Sequence, residues 1–401
     1  MTQRKTIQKI SLFIFLITYA CFTTNFFNFV PYTSSILQRH WYFHVAVLLV
    51  LFAISYRKFN SFNNVHFESY ILFFAFFPYL VALLKPFHAG GTIEYELGTC
   101  FDYTTVFIFY YYFYKQEISA DFLIKILVVF GTLTFVIQLF QQLNPTLPVF
   151  GINLNAIEET NELAYIRNGL YRFHIGAQAI QMFCLLYSWD RLLNKFSILN
   201  LVFTIIFAVS IYLYLTRQVM IASAASMSIL LFFKFRNRHN KWGLISILLI
   251  AIFSALYFWE TIFAGFVDDY TNDTYTIDIR QEAMEFIIPQ IFENPLTVLF
   301  GHGHQIIERN SWNARGYYMS DIGFIGQAYY YGVIWIIVFY SLCYKVLFKL
   351  RNIPFYIKSF IIGSCIMSPF IFPFTNKASV FLWTCLIYLI SVYEKNMKNY
   401  E

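Results

Sequence analysis

The residues able to do chemistry sit in short polar breaks between long apolar runs. Arg217 lies in Thr216-Arg217-Gln218, the narrowest of these breaks. A later polar stretch carries Arg280, then Gly301-His302-Gly303-His304, then Glu308, Arg309, Arg315 and Ser320-Asp321. An earlier one carries Glu158, Glu159, Glu162, Arg167 and Arg172. Arginine offers a planar fork that grips phosphate or carboxylate oxygens bidentately, which lysine cannot do. Histidine takes or gives a proton near neutral pH. The glycines flanking both imidazoles permit a tight turn that presents them. Two histidines at this spacing could begin a metal site, but no third ligand stands at a recognisable distance, so no metal is expected.

Each residue also has a plainer reading. Turn histidines are often only solvated. Asp321 or Ser320 is a natural N-cap for the apolar run that follows, and one acid could both cap and catalyse. Arg280 could pair with Asp278 or Glu282, or extend toward the lipid surface. Arg217 could reach lipid phosphate in the same way. Against that, the run after Arg217 is rich in small residues (Ala222, Ser223, Ala224, Ala225, Ser226, Ser228), the signature of a helix packed among others. An arginine at the end of such a helix faces a cavity more readily than lipid.

Local signals place these residues. Asp278 followed by Gln281 reads as a helix start, and the pattern predicts a helix over Ile279–Phe292, bent at Pro289 and stopped by Asn294-Pro295. Arg280, Met284, Ile287 and Ile291 share one face of it, so Arg280 points to the packed side and needs an anionic partner. Gly323 and Gly326 would let another helix approach closely beneath Asp321.

The composition sets the frame for these elements. Of 401 residues, 59% are hydrophobic and only 12% are charged, too little charge to cover a soluble fold. Apolar runs near the length that crosses a bilayer recur along the chain. They predict an all-α bundle of about twelve transmembrane helices, near 10–30, 41–56, 70–84, 98–114, 122–140, 174–189, 198–215, 218–233, 242–265, 322–347, 355–374 and 378–393. The chain reads as a single polytopic domain, residues 1–401. Arg4, Lys5 and Lys9 precede a run too long for a cleaved leader, so the first span reads as a retained anchor.

With the amino terminus inside, most lysines and arginines fall on the cytoplasmic side, including Lys234–Lys241 and the Lys345–Arg351 stretch, and most acids fall outside. Both termini are then cytoplasmic. The net charge of +6 reflects this topology and gives no support for nucleic-acid binding. Lysine predominates inside and arginine outside, where Arg39, Arg167, Arg172, Arg217, Arg280, Arg309 and Arg315 lie. Long outer loops are expected at Gln141–Arg172 and Gly265–Asp321, the latter large enough to fold over the membrane as a partly helical unit. The aromatic run Phe107–Tyr114 reads as an interfacial belt with lipid-facing packing, in preference to a sugar-stacking platform. The cysteines show no C-x-x-C pair and read as packing residues.

The run of spans, the Thr-Arg-Gln hairpin, and a late outer loop reading R-Q-E-A, N-P-L and F-G-H-G-H, closed by S-D-I-G-F-I-G and Y-Y-G, resembles the O-antigen and capsular repeat-unit polymerases (Wzy type). The likeness covers the layout and, in detail, roughly residues 210–335. Related O-antigen ligases often carry a His-Asn pair after the glycine-rich turn; Ser320-Asp321 stands here, which favours polymerase. The resemblance implies a GT-C-like fold in the inner membrane and a metal-independent, cofactor-free, inverting glycosyltransferase. Its substrates would be undecaprenyl-pyrophosphate-linked oligosaccharides, with membrane lipid around it and a chain-length regulator protein as a candidate partner. Arg217 and Arg280 would stabilise the leaving pyrophosphate. Arg309, Arg315, Arg167, Arg172 and His302 would hold substrate. His304, or in its place His302 or Asp321, would take the acceptor proton. An O-antigen ligase acting on lipid A core, or a lipid-linked oligosaccharide flippase, are the alternatives.

Overall fold

The computed structural model describes residues 2–23, 67–88, 100, 106–145, 165–167, 170–172, 176–235, 274–304, 317 and 319–398. The helices are α1 (Thr2–Thr23), α2 (Glu68–His88), α3 (residues 106–115), α4 (Ala120–Leu143), α5 (Gln178–Asn194), α6 (Ile198–Leu213), α7 (Arg217–Phe235), α8 (Thr274–Ile291), α9 (Pro295–Phe300), α10 (Gly323–Tyr344), α11 (Phe355–Met367) and α12 (Lys377–Lys398). A 3-10 turn, Met319–Ile322, leads into α10, and a π turn, Lys345–Lys349, ends it. Among the described residues, five stretches are long and apolar enough to cross a membrane: Glu68–Phe87, Ala120–Leu143, Arg217–Phe235, Met319–Lys349 and Lys377–Lys395. The architecture is therefore that of a mostly helical membrane protein. The expected spans 41–56 and 242–265 lie outside the described residues.

Burial separates the helices. In α12, 78% of the apolar window is buried, against 33% in α7, so α12 is a central helix and α7 packs by one face. Rings surround α12: Trp383 lies 5.2 Å from Phe339 and 5.7 Å from Phe374, and Phe381 lies 5.4 Å from Tyr19. The run Phe107–Tyr114 belongs to this core. Phe107, Phe109, Tyr110 and Phe113 are buried, and Tyr110 Oη bonds Ser391 Oγ at 2.9 Å. The expected lipid-facing belt is thus corrected. The run is wedged among α1, α2 and α12, so its aromatic faces meet protein rings, where offset and edge-on contacts favour them.

Helices α4, α5 and α6 are tied by polar contacts across their faces, which hold helices together where the hydrophobic effect does not. Gln181 Nε2 donates to Gly131 O at 2.7 Å, and Ser210 Oγ donates to Gln138 Oε1. On α7, Ala222, Ser223 and Ser226 are buried while Ala224 and Ser228 are exposed. A Cβ on Gly363 would stand 2.0 Å from Ser226 Oγ and 3.2 Å from Ala222 O, so the small face seats α11 closely. At the other end of α7, Lys234 pairs with Asp190 of α5 at 2.9 Å.

Of the expected loop Gln141–Arg172, the described part holds an antiparallel hairpin, β1 (Tyr165–Arg167) and β2 (Leu170–Arg172). Its register pairs Tyr165 with Arg172 and Arg167 with Leu170, so strand alternation puts positions 167 and 172 on one face. Gln142, at the end of α4, anchors the hairpin: its amide donates to Tyr171 O and accepts from Tyr171 N at 3.0 Å.

The main surprise is α10. Gly332 within it has φ 74 and ψ 176, which no helix contains. Phe324 N bonds Ser368 O at 2.9 Å, and Tyr340 Oη bonds Ser368 Oγ at 2.5 Å. A straight helix would hold residues 324 and 340 about 24 Å apart, farther than one serine can bridge. The helix is therefore sharply bent at Gly332, into an arm over 323–331 and an arm over 333–344. Met319–Lys349 is one apolar stretch but not one rod.

Candidate functional site at the broken helix

The bend and the Gly-His-Gly-His turn make each other possible. Asn294 caps α9, accepting from Leu296 N and Thr297 N at 2.9 Å each, with Pro295 in the first turn where its missing N–H costs nothing. Asn294-Pro295 thus starts a second helix besides following the first. Gly301 ends α9 at φ 72. A Cβ there would stand 2.6 Å from Gly332 N, and one on Gly332 would stand 2.1 Å from Leu299 O. Only a pair of glycines allows the two backbones to meet this closely.

A broken helix leaves carbonyls to be satisfied, and apolar surroundings make an unsatisfied one costly. Here His302 N donates to Tyr329 O at 2.6 Å and Gly303 N donates to Tyr330 O at 3.0 Å. The turn therefore supplies the hydrogen bonds that the bend removes.

The two histidines have different surroundings. His302 is 6% exposed; its ring stacks on Tyr329 at 4.6 Å, and its Nε2 lies 2.9 Å from the carbonyl of Gln290 near the end of α8. It is built into the support of the turn. His304 is half-buried. Its ring stacks on Tyr330 at 3.9 Å and meets Tyr331 edge-on at 5.4 Å, with Nε2 2.7 Å from Tyr331 Oη. Lys85, on α2 and only 2% exposed, donates from Nζ to the His304 carbonyl at 2.6 Å. Half-burial with a fixed ring suits His304 to proton transfer better than His302.

The other expected site residues are placed by different elements. Arg217 is half-buried at the first turn of α7. Before it, the chain leaves α6 through Tyr214 and Leu215, the latter buried at φ 53, and Gln178 of α5 donates to Thr216 Oγ1 at 3.2 Å. That fixes the hairpin against the start of α5. Arg280 is half-buried on α8, whose Ala283, Ile287 and Ile291 are packed with Met319, Ile322 and Tyr329. The expected shared face is present, although α8 begins at Thr274, before Asp278.

Asp321 lies in the 3-10 turn and accepts from Ser320 Oγ at 3.2 Å. The expected N-cap role is corrected: α10 has Ile322 at that position with no side-chain cap. The N–H of Phe324 is met instead by Ser368 O. Gly323 does admit a close approach, but from the Ser368-Pro369 turn after α11, 2.3 Å from a built Cβ. At Gly326 the neighbour is Met319 O. Arg167 and Arg172 sit on the β-hairpin. Arg309 and Arg315 lie outside the described residues.

Sequence reasoning passed over Lys85 and Tyr331. Lys85 follows directly on an apolar run, and the preference for arginine on the outer side hid it. The run Tyr329-Tyr330-Tyr331-Gly332 was informative for its glycine, since Gly332 breaks the helix and turns Tyr331 toward His304. No protein-family model matches the sequence, and no curated protein matches it.

Proposed function

We propose that this chain is a polymerase of lipid-linked glycan repeat units, of Wzy type, working at the outer face of the inner membrane. A bundle of about twelve spans in a GT-C-like arrangement, with both termini cytoplasmic, is part of this reading. The observation that carries it is the half-buried His304, fixed at the bend of α10 inside the stretch whose motifs resemble those polymerases.

The growing glycan is carried on undecaprenyl pyrophosphate, and the acceptor is the non-reducing sugar of a second lipid-linked unit. The acceptor hydroxyl oxygen attacks the anomeric carbon while the bond to the pyrophosphate oxygen breaks and its electron pair leaves with the pyrophosphate. His304 takes the hydroxyl proton. A single displacement of this kind inverts the anomeric centre. Arg217 and Arg280 face the negative charge that grows on the leaving group, where fixed cations stabilise a transition state most. Arg309, Arg315 and the pair on the β-hairpin, Arg167 and Arg172, hold the lipid pyrophosphates or the glycan, while His302 supports the turn. Asp321 is the second candidate base.

Deleting the gene tests the reading. A single repeat unit left on the surface glycolipid supports a polymerase; complete loss of attached glycan indicates a ligase or a flippase and overturns it. Arg217→Lys keeps the charge but not the fork, and it should shorten the polymer length distribution. An unchanged distribution would remove Arg217 from the mechanism.

One observation favours a second reading. A bent helix whose docking turn is held by a buried lysine from another helix, here Lys85 of α2 on the His304 carbonyl, is also how secondary transporters build their sites. The deletion phenotype separates the two, since a transporter delivers the units and its loss leaves none to attach.

A further inference from the structure

His304 is held at both of its ends. The backbone end is pinned by Lys85, whose ammonium donates to the His304 carbonyl at 2.6 Å from a position only 2% exposed. A buried ammonium is kept only where it is well bonded, and a charged donor makes a stronger hydrogen bond than a neutral one. The ring end is pinned by Tyr331 Oη, 2.7 Å from Nε2, with Tyr330 stacked on the ring face at 3.9 Å. Tyr331 is 1% exposed and next to the bend, so its hydroxyl has little freedom to leave.

This geometry bears on which nitrogen can work. An imidazole offers one donor and one acceptor nitrogen when neutral, and the partner of one nitrogen sets the state of the other. If Tyr331 accepts from Nε2–H, Nδ1 is the acceptor.

We propose that Lys85 and Tyr331 are positioning residues for His304: Lys85 fixes the turn through the carbonyl, and Tyr331 holds the ring in the tautomer that leaves Nδ1 to take the acceptor hydroxyl proton. The inference rests on the polymerase reading. In the step, the proton of the acceptor hydroxyl passes to Nδ1 as the new glycosidic bond forms and the pyrophosphate departs; Nδ1 then returns the proton to water. Lys85 and Tyr331 keep their own protons throughout.

The test uses membranes containing the full chain and lipid-linked repeat units extracted from cells deleted for it. Glycan extension is measured against donor concentration for the wild type, Lys85→Met, Lys85→Arg and Tyr331→Phe, each at matched protein level. Lys85→Met is expected to lower the maximal rate about 30-fold with half-saturation within about twofold, and Tyr331→Phe about tenfold with the same pattern. Lys85→Arg keeps a charged donor and should recover most of the rate. A merely structural role predicts instead less folded protein with an unchanged rate per molecule.

Extension by the wild type with rates in Tyr331→Phe and Lys85→Met equal to wild type overturns the inference and leaves the polymerase reading standing. Should Lys85→Met fail to accumulate, Lys85→Arg and Tyr331→Phe decide alone: full activity in Tyr331→Phe overturns the tautomer role, and a rate drop without a change in half-saturation supports it. Absence of extension by the wild type, with no lipid-linked units accumulating in the deleted cells, overturns both the polymerase reading and the inference built on it.

Discussion

Two parts of this molecule are built from the same residue types and held together differently. Around α12, Trp383 meets Phe374 and Phe339, and Tyr388 meets Phe113, ring to ring, with hydroxyl bonds such as Tyr388 Oη to Ile118 O at 2.7 Å added to the packing. At the bend of α10, Tyr329, Tyr330 and Tyr331 are just as aromatic, but the architecture depends on backbone bonds to His302 and Gly303 and on glycines at positive φ. Ring packing tolerates exchange of one large apolar group for another. Backbone contact at van der Waals limits does not. The bend should therefore be brittle where the core is forgiving.

The strongest way to break that comparison is Gly332→Ala. The added Cβ would stand 2.1 Å from Leu299 O in a backbone conformation that disfavours any side chain, so a loss of about 3 kcal/mol or more is expected. Thermal unfolding in detergent should show a large drop in midpoint or no folded protein. A midpoint equal to wild type would mean that the bend is dispensable. His302→Phe keeps the stack on Tyr329 but removes the bond to Gln290 O, and should cost about 1–3 kcal/mol. The same unfolding measurement checks it, and no change would show that the stack alone supports the turn.

Smaller effects are expected away from the bend. Trp383→Phe leaves an apolar ring in the core and should cost about 1–2 kcal/mol, with activity retained; a loss comparable to that of Gly332→Ala would erase the distinction between the two regions. Smallest is Asp190→Asn, which weakens the pair with Lys234. Their side chains are 13% and 20% exposed, so a cost of about 1 kcal/mol is expected, measured by the same midpoint.

The sequence showed some of this and hid the rest for physical reasons. The apolar runs of α2, α4, α7, α10 and α12 were visible because bilayer crossing demands length and apolarity together, both of which composition displays. The turn at Gly301–Gly303 was visible because glycine next to polar residues has few other uses. Its neighbour was not. Gly332 lies in an apolar run, where a glycine usually means close packing, and only its contact with Gly301 reveals a break. Lys85 looked like the ordinary polar end of a span. Its meaning depends on His304, far along the chain, and no local pattern encodes that meeting. The aromatic run Phe107–Tyr114 misled in the other direction, since lipid and a ring-filled core ask for the same residues.

The apolar stretch Met319–Lys349 has 31 residues, while a bilayer takes about 20 in a helix. Proteins usually absorb such surplus by tilting the helix or thickening the lipid around it. This one folds the excess back, and the bend becomes a place where another segment's backbone can pair with that of the helix. An unbent α10 would satisfy its own carbonyls; bent, it hands Tyr329 O and Tyr330 O to the N–H groups of His302 and Gly303, so the surplus length of the span is what recruits the turn.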